Sequence, residues 1–434
     1  MKSRGYKPKK EFTMRQKIAG TFLCLLLYRL LSFVPLPFVN REYIQAAIGM
    51  NGSLGLLNVM SGGNLGNMSL MALGIGPWIT ASIVLQLIGM AFPKFADLNK
   101  EEDGKKTYKL ITFGVAVVFA LMESIGLMIG YGRQGYLSDY VWYTVLVPAL
   151  LMMIGTGFLS LMGWYIDEKL FGNGTSLILT AGILCSYVGD GTAVGLILSY
   201  DRNTAIAIIL CIVALVALFC LFLYTVFISS CEKRIPVVYS RKLAANSNTK
   251  NTSNIPLKLI SGGVVPVIFA STIITFPALI GSAFGSHAAW LEIFNTSYWL
   301  DPHHPWASIG FVFYIVLIIG FGYFCQLMYV NPVELAQNLQ NNGGTIPGIR
   351  PGKPTSDYII KQARWLTALG GIFLCVIAAI PMIVSSVLGI GGLSFLGTSI
   401  LITVSTLEET WNMWKTAKMS KSYVEKASLM KGLL

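Results

Sequence analysis

The chain has 434 residues, of which 54% are hydrophobic and 12% are charged, and its formal net charge is +12 at pH 7. Soluble domains average about 45 to 50% apolar and about 25% charged residues, so this composition excludes an ordinary soluble enzyme. A polytopic membrane protein remains, in which apolar runs of about 20 residues are separated by short polar connections.

Apolar runs of this length recur from one end of the chain to the other and predict an all-α fold with ten transmembrane helices. We place the spans at 18–37, 71–92, 110–130, 142–166, 176–197, 204–229, 259–280, 306–330, 365–387 and 388–407. The first span follows a basic N-terminus, but no small-residue cleavage site comes after it, so we interpret it as a helix rather than a signal peptide.

Lys and Arg residues concentrate in alternate connections between these spans. Of the 32, 28 fall in the segments that share a side of the membrane with the N-terminus. The opposite segments contain only Arg41, Arg133 and Arg202. Because positively charged segments stay in the cytoplasm, we predict that both termini are cytoplasmic.

The second and seventh spans contain an internal repeat of the form GxxPxIxAS, which begins at Gly74 in one span and at Gly263 in the other. The two spans run in opposite directions across the membrane. The repeat therefore predicts two inverted halves of five spans each, residues 1–200 and 201–434, related by an axis in the membrane plane.

Residues 52–70 are too apolar for a solvated loop, and Ser61-Gly62-Gly63 interrupts them too strongly for a complete span. We predict a short, half-inserted helix here. Backbone at that depth is tolerated only where it faces protein or a water-filled cavity, so the chain is predicted to enclose a cavity.

The sequence offers few groups for chemistry. Arg29 and Glu123 are the only charged residues well inside a span, and no cysteine pair or histidine cluster has metal-ligand spacing. We predict no catalytic residues, no metal and no cofactor, and therefore no enzyme. A secondary transporter also fits the composition and the repeat, but it would need carboxylates in the spans for ion binding, and only Glu123 is available.

Two cytoplasmic connections, residues 230–258 and 331–364, are long and organised. The second predicts a short helix from Asn331-Pro332 to about Asn341, ended by Gly343. Pro and Gly then flank Arg350 on both sides and predict a stiff turn that projects its guanidinium. Arg350 is either a topological charge or, as we favour, the tip of a docking surface for a large cytosolic partner.

Several motifs follow one another along the chain: the Ser61-Gly62-Gly63 segment, the repeat at Gly74, Gly172-Asn173-Gly174, Arg234-Ile235-Pro236, the repeat at Gly263, and 347–352 with the sequence PGIRPG. With these motifs in this order, the sequence resembles the SecY family, the channel subunit of the bacterial Sec protein translocase. The resemblance implies a channel that passes unfolded secretory proteins across the plasma membrane and releases transmembrane segments sideways into lipid.

The resemblance also implies roles for individual residues. The pore would be closed by a ring of Ile75, Ile79, Thr175, Leu179, Ile268 and Ile402, where Thr175 departs from the usual aliphatic residue. A plug would lie near 53–70, with Ser61, Gly62, Gly63, Asn64 and Leu65. The lateral gate would include Thr80, Gln86, Ser271, Thr272 and Phe276. Docking would involve Arg350, Lys353, Lys233, Arg234, Arg241 and Lys242.

The partners that the resemblance implies are SecE-like and SecG-like small membrane subunits, the SecA motor ATPase, the ribosome, unfolded preprotein and membrane lipids. Some Gram-positive bacteria have a second, accessory channel of this family. The intact PGIRPG sequence favours the housekeeping form.

Overall fold

The computed structural model describes most of the chain. The residues described are 13–50, 52–92, 95, 102–189, 204–239, 253–260, 262–284, 293–300, 305–388 and 396–431.

Helices dominate the described residues, and one of them overlaps each of the ten predicted spans. In chain order these are α1 (Met14–Leu31), α4 (Gly76–Ala91), α5 (Glu102–Arg133), α6 (Trp142–Lys169), α7 (Gly174–Gly189), α8 (Thr204–Ser230), α9 (Val265–Phe284), α10 (Ser308–Val330), α12 (Lys353–Leu388) and α13 (Leu396–Lys431). Three shorter helices are α2 (Arg41–Met50), α3 (Gly52–Ser61) and α11 (Pro332–Asn341).

Length and hydropathy separate these helices into two groups. Within the described residues, four stretches are long and apolar enough to cross a membrane: Gly104–Arg133, Trp142–Lys169, Pro305–Asn341 and Lys353–Val384. Four shorter apolar helices are Gly76–Gly89, Gly174–Ser186, Phe219–Ser230 and Val265–Pro277.

The repeated sequence motif has the same conformation in both places. The glycine that opens it is left-handed each time, with φ of 59° at Gly74 and 55° at Gly263. The proline, Pro77 or Pro266, is then the second residue of its helix. Proline is tolerated there because the first turn has no helical acceptor for its missing N–H. The predicted spans at 71–92 and 259–280 therefore started about five residues too early.

Other predicted boundaries were wrong because a polar helical extension has no hydropathy signal. Helix α12 begins at Lys353 rather than near residue 365, and α13 continues to Lys431 rather than ending near 407. The predicted helix after Asn331 is confirmed as α11, and Gly343 follows it with φ of 67°.

The two long connections, residues 230–258 and 331–364, were predicted as loops of an all-α protein and form a small antiparallel sheet. Strand β1 (Glu232–Tyr239) pairs with β2 (Ser253–Lys258) in the register Ile235 to Ile255, and with β3 (Gly344–Thr345) through Val238 to Thr345. Alternate residues of β1, namely Ile235 and Val237, are buried. They pack with Leu257, Leu339, Ile346 and Ile359 in one small core, so the two connections are one folded unit.

Close backbone approaches fix the packing of α6. A Cβ on Gly155 would collide with the carbonyl oxygen of Leu70 and lie 3.4 Å from the Met71 sulfur. A Cβ on Gly157, two residues further along α6, would have only the Phe113 ring at 3.9 Å. Small residues let elements approach closely in a membrane, where packing rather than hydrophobicity drives their association.

We therefore expect Gly155→Ala to destabilise the protein by about 1 to 3 kcal/mol, the usual cost of overpacking. Gly157→Ala is the matched control and should be neutral or slightly stabilising, because alanine favours helix more than glycine does. Thermal unfolding of both variants in detergent measures the difference. Equal melting temperatures would show that the segment around Leu70 moves away without cost.

Candidate functional site

The fold brings together isoleucine and leucine side chains from four parts of the chain. Ile75, Leu179, Ile268 and Ile402 are 1%, 4%, 7% and 4% exposed and belong to one buried cluster, against which Ile79 packs. They come from the turn before α4, from α7, from α9 and from α13. We call these five residues the ring cluster; they are five of the six predicted pore-ring residues.

The repeat explains how two of these side chains are placed. Ile79 and Ile268 each stand two residues after the motif's proline, in the first turn of their helices. Each backbone N–H donates to a residue of the preceding turn, Ile79 to the Ile75 carbonyl and Ile268 to the Val264 carbonyl, both at 3.2 Å. The two helices therefore present the same motif position to the same cluster.

Thr175, the sixth predicted ring residue, is half-buried one turn before Leu179 on α7. Its backbone nitrogen and the Ile75 side chain both lie 3.7 Å from the point where Gly163 would carry a Cβ. The threonine is thus close to the ring cluster on its α7 side. Sequence reasoning missed Ile178, which is fully buried in the same cluster. Its position between Thr175 and Leu179 on one helical face was the available signal.

The segment predicted as a plug, near 53–70, lies beside the ring cluster through its residues Val59 and Met60. Val59 and Met60 of α3 line a small cavity together with Ile268, Ser271 and Ile402. Ser61, Gly62, Asn64 and Leu65 are buried, and Gly63 is half-buried. The predicted short helix is confirmed as α3, and the chain then continues in turns up to Ile75. This segment, residues 52–70, is called the plug segment below.

Four of the five predicted lateral-gate residues line one of two cavities. Thr80, Thr272 and Phe276 line a cavity between α4 and α9, whereas Ser271 lines the cavity beside Ile402. Gln86, further along α4, lines neither of them; its amide oxygen is buried without a hydrogen-bond partner among the described residues.

Glu123 of α5 lines the first of these cavities, beside Thr80, Thr272 and Thr275. Apolar side chains, among them Leu65 and Leu127, make up most of the rest of this lining.

The hydroxyl groups along α4 and α9 bond within their own helices. Thr80 donates to the Gly76 carbonyl at 3.2 Å, and Ser271 and Thr272 both donate to the Ile268 carbonyl, at 2.8 and 2.9 Å. A helix carbonyl one turn back is the nearest acceptor for a threonine or serine hydroxyl, so these three donate within their own helix and not across to the other.

The predicted docking residues lie on the small sheet and the turn beside it. Arg350 is exposed between Gly348 and Gly352, whose φ angles are 81° and 99°. The backbone carbonyl of Arg350 accepts a hydrogen bond from the Thr355 hydroxyl at 2.8 Å, which fixes the turn on the start of α12. Within the described part of the chain, the guanidinium has no protein partner. Lys353, at the start of α12, is also exposed.

The basic residues of β1 are engaged within the protein. Lys233 donates to the Gln362 side chain at 2.6 Å, and Arg234 forms an ion pair with Glu232 at 2.8 Å. Arg241 and Lys242, the other predicted docking residues, lie outside the described residues.

Two neighbouring acids on α13, which the sequence analysis did not single out, face a large cavity lined by both polar and apolar residues. Glu408 forms an ion pair with Lys258 at the end of β2, at 2.8 Å, and Glu409 accepts a hydrogen bond from the Asn173 amide at 3.2 Å. These contacts connect α13 both to the sheet and to the turn before α7. An acidic pair directly after an apolar span was the available signal.

Comparison with known proteins agrees with this architecture. The family model described as SecY matches residues 69–411. Three proteins named protein translocase subunit SecY are similar over 94% of this chain and 96% of their own length. They come from Halalkalibacterium halodurans (35% identity), Bacillus subtilis (34%) and Staphylococcus aureus (33%).

Solved structures show the same fold. One described as the structure of a protein conducting channel aligns with a TM-score of 0.67 and 16% identity, over 95% of both chains. Sec61 in the canine ribosome-channel complex aligns with a TM-score of 0.62 and 16% identity, also over 95% of both chains. The family match and the identity with curated relatives together show that the chain belongs to the SecY family.

Proposed function

We propose that this chain is the central protein-conducting subunit of a Sec translocase, which passes unfolded secretory proteins across the plasma membrane and releases transmembrane segments sideways into lipid. The observation that carries the proposal is the ring cluster. Side chains from α4, α7, α9 and α13 converge there, and the plug segment lies against them.

The ring cluster suits a seal that opens for a polypeptide. Branched apolar side chains at a constriction exclude water and ions by dewetting, and they need no chemical bond to do so. A passing chain of any sequence can displace them, since the contacts between them are dispersion contacts. Thr175 adds a hydroxyl next to this constriction.

Release into lipid is proposed to occur between α4 and α9. Thr80, Gln86, Ser271, Thr272 and Phe276 would line this gate. The cavity between these helices, lined by Thr80, Thr272 and Phe276, leaves the interface incompletely packed. An interface with such a void has fewer contacts to lose when the helices separate.

The membrane arrangement in this proposal is ten spanning helices in two inverted halves, residues 1–200 and 201–434, with both termini in the cytoplasm. The equivalent conformations at Gly74 and Gly263 support the inverted halves. The distribution of 28 Lys and Arg residues against 3 supports the orientation.

Cytosolic docking is proposed at the sheet, through Arg350 and Lys353, with Arg241 and Lys242 as further candidates. The SecA motor ATPase and the ribosome are the proposed partners. One solved structure similar to this chain, with a TM-score of 0.61 and 14% identity over 92% of this chain and 90% of its own, is described as an idle yeast Ssh1 complex bound to the 80S ribosome.

SecE-like and SecG-like small membrane subunits complete the proposed complex. An apolar groove between α1 and α13 supports a place for such a subunit. It is lined by Ile18, Phe22, Leu25, Leu407, Trp411 and Trp414. A membrane-embedded helix would cover these side chains.

The decisive test is a photo-crosslinking amino acid at Ile268, in membranes supplied with a stalled secretory chain and its partner factors. A crosslink to the middle of that chain is expected, because Ile268 lies in the ring cluster. The same amino acid at Ile273, whose side chain is 39% exposed on α9, should not react with it. Absence of the Ile268 crosslink, when a known translocase gives one, would contradict the channel.

The seal itself is tested by replacing Ile79 and Ile268 together with glycine. Ion leakage through the resting channel in lipid bilayers should rise several-fold, because two of the dewetting side chains are gone. Ile273→Gly makes the same change outside the ring cluster on α9 and should leave the leak unchanged. Unchanged conductance in the double variant would exclude these residues from the seal.

Docking is tested with Arg350→Glu. Motor-driven export by inverted membrane vesicles should fall strongly, because the exposed guanidinium would meet the partner with reversed charge. Lys361 is also exposed and lies on α12. The variant Lys361→Glu, which reverses the charge there, is the matched control and should support normal export. Normal export by Arg350→Glu would reduce Arg350 to a topological charge.

A further inference from the structure

Tyr28 of α1 is buried at the base of the plug segment, with 2% of its surface exposed. Its hydroxyl donates a hydrogen bond to the Ser61 carbonyl at 3.0 Å and accepts one from the Asn64 side-chain amide at 3.1 Å. The Asn64 amide also donates to the Ser61 carbonyl, at 2.6 Å. Three buried polar groups thus close a small hydrogen-bonded triangle between α1 and the plug segment.

The triangle caps the end of α3. Ser61 is the last residue of this helix, and the final carbonyls of a helix have no partner within it. The Ser61 hydroxyl continues the same cap, since it donates to the Asn58 carbonyl at 2.9 Å and accepts the Leu65 N–H at 3.2 Å. Tyr28 is the member of this arrangement that comes from outside the plug segment.

The chain can turn directly after this cap. Gly62 and Gly63 have φ angles of 80° and 78°, a conformation that glycine adopts without cost. Gly62 lies against the backbone of Gly182 in α7, and a Cβ on Gly182 would come within 3.0 Å of the Tyr28 hydroxyl oxygen. The base of the plug segment is therefore held between α1 and α7 at the residues where it could pivot.

We infer that Tyr28 is a positioning residue: its hydroxyl holds the end of α3 in place, so that Val59 and Met60 stay against the ring cluster while the channel is at rest. The inference rests on the proposed function. It gives α1 a role in gating, in addition to the roles proposed for the ring cluster and for the gate between α4 and α9.

Two kinds of contact hold α3 in place, apolar contacts and hydrogen bonds. Val59 and Met60 face Ile268 and Ile402, and apolar contacts of this kind can be exchanged for contacts with a passing chain. The Tyr28 hydroxyl makes directional bonds in a buried place, where losing one partner leaves the other unsatisfied. Movement of Ser61 away from α1 breaks these bonds, so Tyr28 adds to the cost of opening.

The test is Tyr28→Phe, which removes the hydroxyl and keeps the ring. Resting ion leak in bilayers should increase by roughly twofold to tenfold, the change in an equilibrium that one net hydrogen bond produces. Export of a preprotein with a weakened signal sequence should improve in the same variant, because the client has less closing energy to overcome. Asn64→Leu, which removes the other donor at nearly constant volume, should have the same two effects.

Tyr314→Phe is the matched control, because Tyr314 is equally buried and its hydroxyl has no partner among the described residues. It should change neither the leak nor the export. A lower melting temperature of Tyr28→Phe with an unchanged leak would overturn the inference, since the hydroxyl would then be merely structural.

The paired Ile79→Gly and Ile268→Gly variant separates this inference from the proposal on which it rests. If the paired variant leaks and Tyr28→Phe does not, the inference fails and the channel stands. If neither leaks and Ile268 gives no crosslink, both fail together.

Discussion

Backbone N–H and C=O groups that leave a helix at membrane depth have no water to bond, and they must find partners in the protein. The segment between α3 and α4 meets this constraint with its own turns and with the chain after α1. The Leu36 N–H donates to the Met68 carbonyl and the Leu70 N–H to the Val34 carbonyl, both at 2.9 Å. Because these bonds fix the segment, they also fix Ile75 at its end, and the ring cluster depends on them.

The two halves of the ring cluster are built by the same local chemistry. A left-handed glycine lets the chain turn, a proline starts the helix, and the isoleucine two residues later packs in the ring cluster. This repeated solution supports a pseudo-symmetric channel. The symmetry is broken by the sheet, which joins the two long connections and contacts α13 through Lys258 and Glu408.

Much of this arrangement could be predicted from the sequence, because apolar length, glycine and proline act locally. The position of α3 and the helix after Asn331 are examples, whereas the meeting of Ile75 with Ile268 was implied by the resemblance to the SecY family. The sheet was not predicted, since β1 and β2 are short and β3 begins only at Gly344, 86 residues after β2 ends at Lys258. Hydrogen bonds such as Tyr28 to Ser61 or Asn173 to Glu409 also escaped prediction, because they depend on packing between helices that the sequence pattern does not orient.

The hydroxyl groups of α4 and α9 have a consequence for what the proposed gate can distinguish. The hydroxyl groups of Thr80, Ser271 and Thr272 donate to carbonyls of their own helices. They therefore require no specific hydrogen-bond acceptor on a segment that lies opposite. A client segment that enters between the helices replaces one apolar surface with another. Such a gate would select a segment by its hydrophobicity and not by the order of its residues. A channel that serves many unrelated clients requires this kind of selection.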